Sequence, residues 1–392
     1  MEVKSGYRKT EIGVLPEDWA VKPLGQLFTF KNGVNADKRA YGTGVRFVNV
    51  LEAITHSHLL CDDVLGRVKL PPSTRATYTV RRGDVLFNRT SETDSELALA
   101  STYVDSEDVV FGGFVIRGRP TSDDLDPVYS GYALRARALR AQIIPLGQGA
   151  VRANIGQENL SRVLAPVPSV AEQRLIAAAL SDADSLLAGL DRLIAKKRDL
   201  KQAAMQQLLS GQTRLPGFQG EWEVKRIDQF APLQRGFDLP TSSIRAGDHP
   251  VVYSNGIQNH HAQFMVKAPG VVTGRSGTIG NVHFVEQDFW PHNTSLWVTK
   301  FNGSDPKFVF YLLANIGLDR FGTGSGVPTL NRNDVHEFRV SVPTSKAEQV
   351  AIAAVLSDMD AELTTLEARR DKTRTLKQAM MQELLTGKTR LV

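Results

Sequence analysis

The chain has 392 residues, 42% hydrophobic and 23% charged, with a formal net charge of +5. That length allows two or three domains with real cores, the composition is neither disordered nor collagenous, and the small basic excess permits nucleic-acid binding without establishing it. Cys61 is the only cysteine, which rules out an internal disulfide or a cysteine-based zinc site and suits a reducing cytoplasm.

The first residues, Met1-Glu2-Val3-Lys4-Ser5, lack the apolar centre of a signal peptide. No run of about 18 apolar residues occurs, so no membrane span is expected. Trp19, Val21, Lys22, Leu24, Leu27 and Gly33 open a first half in which β-rich runs recur at 45–50, 84–87 and 109–111, bounded by Gly and Asn turns. One helix is expected after Asp126-Pro127. The segment Arg81-Arg82-Gly83-Asp84-Val85-Leu86-Phe87-Asn88-Arg89-Thr90 closes a buried-looking strand with an arginine beside small polar residues. Arginine at a loop edge suits a phosphate or the O6/N7 edge of guanine; the alternative is a solvated arginine or a structural ion pair. Arg81, Arg82, Asn88, Arg89, Arg152 and Asn154 are the DNA-contact candidates of this half, and Asn154 could equally cap a turn.

A long helix follows, over 169–211. Ser169 stands three residues before Glu172, the spacing of a capping box in which each side chain satisfies the other residue's backbone N–H. Pro168 lies upstream, and Leu208-Leu209-Ser210-Gly211 supplies a glycine for the left-handed closing residue. Ile176, Leu180, Ala183, Leu187, Leu190 and Ile194 alternate steps of four and three, the 3.5-residue period of a coiled-coil seam.

The chain then repeats itself. Trp222, Val224, Lys225, Ile227, Phe230 and Gly236 align with the opening residues of the first half. β-rich runs return at 271–273 and 295–298, and Asp305-Pro306 announces another helix. Gly270-Val271-Val272-Thr273-Gly274-Arg275-Ser276-Gly277 is a second strand ending in arginine. Arg235, Arg275, Ser276, Asn331 and Arg332 are its candidates; Asn331, like Asn154, follows a glycine-rich loop and could equally cap a turn. His260, His261 and His292 lack metal-ligand spacing and read as surface or core residues, so no metal site is expected. The second long helix, over 345–388, carries Ser345 three before Glu348, Pro343 upstream, and Leu384-Leu385-Thr386-Gly387 at its end. Ile352, Leu356, Met359, Leu363 and Leu366 repeat the seam. Residues 171–215 and 347–391 align without a gap and are identical at 26 of 45 positions. Repeats of this kind mark duplicated architecture.

Each helix could pack only on its own preceding domain, but its length and charged faces call for a partner along most of it, and the equivalent partner is the other copy. An antiparallel pair of rods, each roughly 58 Å from about 39 residues, would put one domain at each end. The expected fold class is α+β: two α/β-type domains, over 1–168 and 212–344, each followed by a long helix, the two helices forming an antiparallel coiled coil.

Motifs that resemble catalytic sites lack their context. Gly387-Lys388-Thr389 has Gln382, inside a helix, where a phosphate loop needs its first glycine. Phe321-Gly322-Thr323-Gly324-Ser325-Gly326 follows a helix rather than the strand a dinucleotide site requires. No amino-methyltransferase, nuclease or Ser/His/Asp pattern is found, so no catalytic residue is expected and binding is favoured over catalysis.

The order of a tryptophan-bearing start, a variable domain, Pro then Ala-Glu-Gln, a long helix, Leu-Lys-Gln-Ala and Leu-Leu-x-Gly-x-Thr-Arg-Leu, all twice, resembles the specificity subunit of type I restriction-modification systems over essentially the whole chain. Gly83-Asp84-Val85-Leu86-Phe87 and the two tryptophans add to the resemblance. It implies a non-catalytic DNA reader in phage defence, with two target-recognition domains on a bipartite, asymmetric double-stranded site and the helices as spacer. It further implies two methyltransferase (M) subunits carrying S-adenosylmethionine for adenine-N6 methylation, and motor-nuclease (R) subunits using ATP and Mg. No cofactor is expected on this chain, no membrane is involved, and the location is cytoplasmic. The remaining alternatives are a coiled-coil structural adaptor without its own DNA specificity and a fused enzyme, for which the chain lacks room and motifs.

Overall fold

The computed structural model describes residues 4–149, 152–324 and 326–391. The N-terminal positions 1–3 and Ser325 of the glycine-rich loop, both used in the sequence reading, lie outside the described residues. The chain forms two compact units, Met1–Gly189 with Arg370–Val392, and Leu190–Arg369.

In the first unit a five-stranded sheet runs in the order Phe28–Asn32, Val115–Pro120, Val85–Asn88, Ala100–Tyr103, His58–Leu59. All neighbours are antiparallel except the last pair. The strand Val85–Asn88 is buried on both faces, with Val85 and Phe87 in one core cluster and Leu86 in another. Because successive side chains leave opposite faces of a strand, burial on both sides demands the continuous apolar run seen in the sequence. A second sheet pairs Arg67–Val68, Tyr41–Val48, Val109–Phe111 and Thr79–Val80. Asp126 caps the helix Pro127–Ala133 by accepting from the Val128 and Tyr129 amides. Where one helix was expected there are two, the second being Arg137–Ile143. The break is held by Arg135, whose guanidinium donates to the carbonyls of Ile54, His56 and Ala100 at 2.7–2.9 Å.

The second unit has a four-stranded antiparallel sheet ordered Leu233–Arg235, Ser295–Val298, Gly270–Gly274, Val282–Val285. This is the order of the first four strands in the larger sheet of the first unit. Asp305 caps the helix Pro306–Ile316, which Gly317 ends at φ 70°.

The long helices are Val170–Ser210 and Lys346–Leu384, closed by Gly211 and Gly387 at φ 75° and 66°. Each unit contains the start of one helix and the end of the other, running antiparallel. In the first unit Ile176 and Leu180 share a core with Met380, Met381, Leu384 and Leu385, and Lys377 donates to Asp184 at 2.5 Å. In the second, Ile352 and Leu356 share a core with Leu208 and Leu209, and Lys201 pairs with Asp360. The seam residues Ile176, Leu180, Leu190, Ile352, Leu356 and Leu363 are buried, while Leu187 and Leu366 are half-buried. In each unit the helices pack on each other and also on the neighbouring domain: Tyr129 and Tyr132 join the first of these cores, Phe308 and Tyr311 the second.

Candidate nucleic-acid interface

The helix starts use their glutamates differently from the expected capping box. Ser169 and Ser345 do accept from the Glu172 and Glu348 amides. The glutamate side chains turn inward instead, each 1% exposed. Glu172 accepts from Arg390 Nε at 2.6 Å, Arg390 Nη2 at 2.9 Å and Trp19 Nε1 at 2.9 Å. Glu348 accepts from Arg214 Nε at 2.5 Å, Arg214 Nη2 at 2.7 Å and Trp222 Nε1 at 3.4 Å. A buried carboxylate is costly unless charge-paired and hydrogen-bonded, and the arginine fork does both. The next residue, Gln173 or Gln349, binds the amide of the helix-capping Asp126 or Asp305 at 2.8 or 2.9 Å. Further along, Tyr132 donates to Asp184 at 2.7 Å and Tyr311 to Asp360 at 2.8 Å. The repeated Ala-Glu-Gln and Thr-Arg-Leu signals therefore orient each domain on its helix pair.

Beyond that attachment, both domains share a small frame. In the first, Gly33 donates to Val115 O at 3.1 Å, Val115 to Gly112 O at 2.9 Å and Arg89 to Phe114 O at 2.8 Å. In the second, Gly236 donates to Ser295 O at 3.0 Å, Ser295 to His292 O at 2.9 Å and Arg275 to Thr294 O at 2.8 Å. A Cβ on Gly33 would lie 2.0 Å from Gly112 O, and one on Gly236 2.1 Å from His292 O, so only glycine fits either place. The Arg89 carbonyl accepts from Ile155, the Arg275 carbonyl from Leu330. Arg89 Nη1 donates to Gly113 O at 3.4 Å and Arg275 Nη1 to Asn293 O at 3.3 Å. The two strand-end arginines singled out in the sequence thus occupy equivalent positions.

The structure sorts the other candidates around this frame. Arg152 and Asn154 are exposed beside Arg89: Asn154 pairs with Thr90, accepting from its hydroxyl at 2.6 Å, and Arg152 bonds Glu92 at 2.7 Å. Thr90, Ser91, Glu92, Phe114 and Arg152 line an open cavity of about 290 Å³. Asn88 is 0% exposed and donates to Glu96 O at 3.0 Å, so it shapes the following loop. Arg81 and Arg82 precede the strand Val85–Asn88, at the opposite end from Arg89. Arg82 bonds Val104 O, and the Arg81 amide donates to Asp84, a buried carboxylate that also takes two bonds from Arg119 at 2.7 and 2.9 Å. That turn holds the sheets together.

In the second unit Arg235 bonds Asp238 at 2.8 Å, and Asp238 also accepts from the Asn293 amide; these two donors hold its carboxyl below the usual range. Ser276 is half-buried and bridges to Thr329. Asn331 caps the helix Arg332–Glu337, whose first residue is the exposed Arg332. The frame makes Thr329 the counterpart of Asn154. Sequence reading missed Phe114, an aromatic 55% exposed at the turn beside Arg89; an isolated phenylalanine after two glycines gives no periodic signal. Among the described residues no three His, Cys, Asp or Glu converge as metal ligands, and no helix is long and apolar enough to cross a membrane.

Two domains built on one frame, each clasped to the helix segments of its own unit and each edged with arginine, describe a duplicated binding protein. The sequence matches the type I restriction modification DNA specificity domain over residues 16–196 and 219–374, and the chain belongs to that family, whose members are DNA-recognition and not catalytic subunits. A candidate type I restriction enzyme MjaX specificity subunit from Methanocaldococcus jannaschii is 24% identical, covering 99% of this chain and 97% of its own. The fold is that of the type I restriction-modification S subunit from M. genitalium, with TM-score 0.63 at 16% identity over 98% of both chains. A chain from a structural study of complex assembly and conformational transition of the type I R-M system gives TM-score 0.61 at 15% identity, over 96% of this chain and 99% of its own.

Proposed function

We propose that this chain reads a bipartite, asymmetric double-stranded DNA site, residues 1–168 reading one half and 212–344 the other, with the long helices 169–211 and 345–388 as spacer. The observation that carries this is the contrast within the duplicated frame: backbone bonds and strand-end arginines match, whereas the side chains around them differ. Phe114 stands where the second domain has Thr294, and Asn154 where it has Thr329. One scaffold with two sets of tips suits two different half-sites.

Two M subunits would dock on the duplicated helices. Leu200, Gln202, Ala203 and Gln206 are exposed and identical to Leu376, Gln378, Ala379 and Gln382, also exposed. The fold of each unit does not require that identity, and a partner used twice would. S-adenosylmethionine would be held by those subunits for adenine-N6 methylation, and the target adenine would flip into their pocket, since its N6 is inaccessible within the stack. ATP and Mg would belong to R subunits joining the same assembly in the cytoplasm. The test is a duplex-binding screen with the M subunits present. The expected result is preference for one two-part sequence; a structural adaptor would show none.

A further inference from the structure

We infer that Arg89 and Arg275 are a duplicated phosphate contact that positions each domain on the duplex, distinct from the side chains that read bases. The inference rests on the DNA-binding reading above and assigns a division of labour within it.

Three observations lead there. Both arginines end a buried strand, both are half-buried, and both are oriented through Nη1 by the carbonyl of the same turn position, Gly113 or Asn293. Neither has a carboxylate partner among the described residues, whereas the neighbouring Arg152 and Arg235 are neutralised by Glu92 and Asp238. A guanidinium has five N–H donors, and a single carbonyl leaves most of them for an anion. Finally, everything beside the two arginines differs between the domains: Thr90 against Ser276, Phe114 against Thr294, Asn154 against Thr329.

A base-reading arginine fixed in the same frame twice would demand the same base at the same place in both half-sites. Phosphates recur at every step of any sequence, so the element common to both domains fits the ligand common to both half-sites. Phosphate contacts set register and orientation, and base-edge contacts carry sequence. The unlike side chains flanking each arginine are where the reading belongs.

The test uses the full chain assembled with its M subunits, binding a target duplex and a scrambled duplex between 50 and 200 mM salt. Arg89→Gln and Arg275→Gln should each flatten the slope of log K against log salt by about 0.9, so that about 3.5-fold less affinity is lost over that range. Both duplexes should be weakened by the same factor, and the methylated sequence should stay the same. Arg89→Lys and Arg275→Lys should keep the wild-type slope. An unchanged slope would reduce the arginines to holding their turns, and a relaxed base preference at one position would make them base readers; either overturns the inference. If the glutamine variants do not fold, single neutral methylphosphonates in the target decide it. One phosphate per half-site should matter less to the matching lysine variant than to wild type, and absence of any such phosphate overturns the inference. Failure of the DNA reading itself looks different: the wild-type complex would not distinguish the two duplexes.

Discussion

Arg390 and Glu172, 218 positions apart, meet through two parallel hydrogen bonds, with the carboxylate 1% exposed and Trp19 donating to one of its oxygens. Arg214, Glu348 and Trp222 form the same triad in the second unit. Removing one partner of a buried ion pair strands a charge and costs about 3–5 kcal/mol. Arg390→Met is therefore expected to destabilise the first unit by about 3 kcal/mol and Arg214→Met the second by a similar amount, each read by denaturant unfolding. A loss under about 1 kcal/mol, the range of surface pairs, would show that the triads are dispensable.

Acid should weaken both units. Burial lowers the pKa of His58 and of His283 from the ordinary 6.5. In the first case a hydrogen bond to Val128 O at 2.7 Å opposes burial without overcoming it. With a depressed folded pKa, the unfolded chain binds the proton first. Stability from these groups is thus complete above pH 6.5 and falls as pH drops through the folded pKa, by at most about 1.4 kcal/mol per pH unit for each histidine. Unfolding free energies between pH 7 and 5 should show this decline, and His58→Gln should flatten it in the first unit. A slope unaltered by that change would assign the acid sensitivity elsewhere.

Exchange of residues 212–344 for another recognition domain should alter one half of the target and leave the other intact. Sequencing of methylated sites in cells carrying the hybrid reads this directly. Alteration of both halves would remove the modular assignment.

The spacer role has a matched test. A four-residue insertion between Asp184 and Lys201, paired with one between Asp360 and Lys377, leaves the Tyr132–Asp184–Lys377 and Tyr311–Asp360–Lys201 contacts within their units. Four helical residues add about 6 Å, a little under two base pairs at about 3.4 Å each. The unread gap should grow accordingly, and an unchanged gap would mean that the helices do not set it.

Leu200→Glu with Leu376→Glu addresses partner docking. Both leucines are exposed, at 47% and 59%, so folding should change by no more than about 0.5 kcal/mol. Co-purification of the M subunit should fall from two copies towards none. Retention of both copies would place docking on another surface.

The helices were legible because a seam of apolar residues at steps of three and four leaves a periodic trace. The strands 85–88 and 270–274 were legible as continuous apolar runs for a related reason, burial on both faces. The Trp–Glu–Arg triads were not, since their members lie 153 and 218 positions apart in the first unit and each has an ordinary local pattern. Nor could a fixed offset reveal the frame: Gly33 and Gly236 differ by 203, Arg89 and Arg275 by 186, Val115 and Ser295 by 180, because the intervening loops differ in length. Nor was the burial of Asn88 legible, since the carbonyl to which it donates, Glu96 O, lies eight residues downstream in a loop.

Gly33 and Gly236 carry a consequence for altering specificity by design. Each sits where a neighbouring carbonyl occupies the place of a side chain, so neither tolerates replacement, whereas Thr90, Phe114 and Asn154 face outward around a fixed arginine. A library that holds Gly33 and Arg89 constant and randomises those three positions would explore new half-sites while preserving the way the domain seats on its ligand, and the same recipe transfers to Ser276, Thr294 and Thr329.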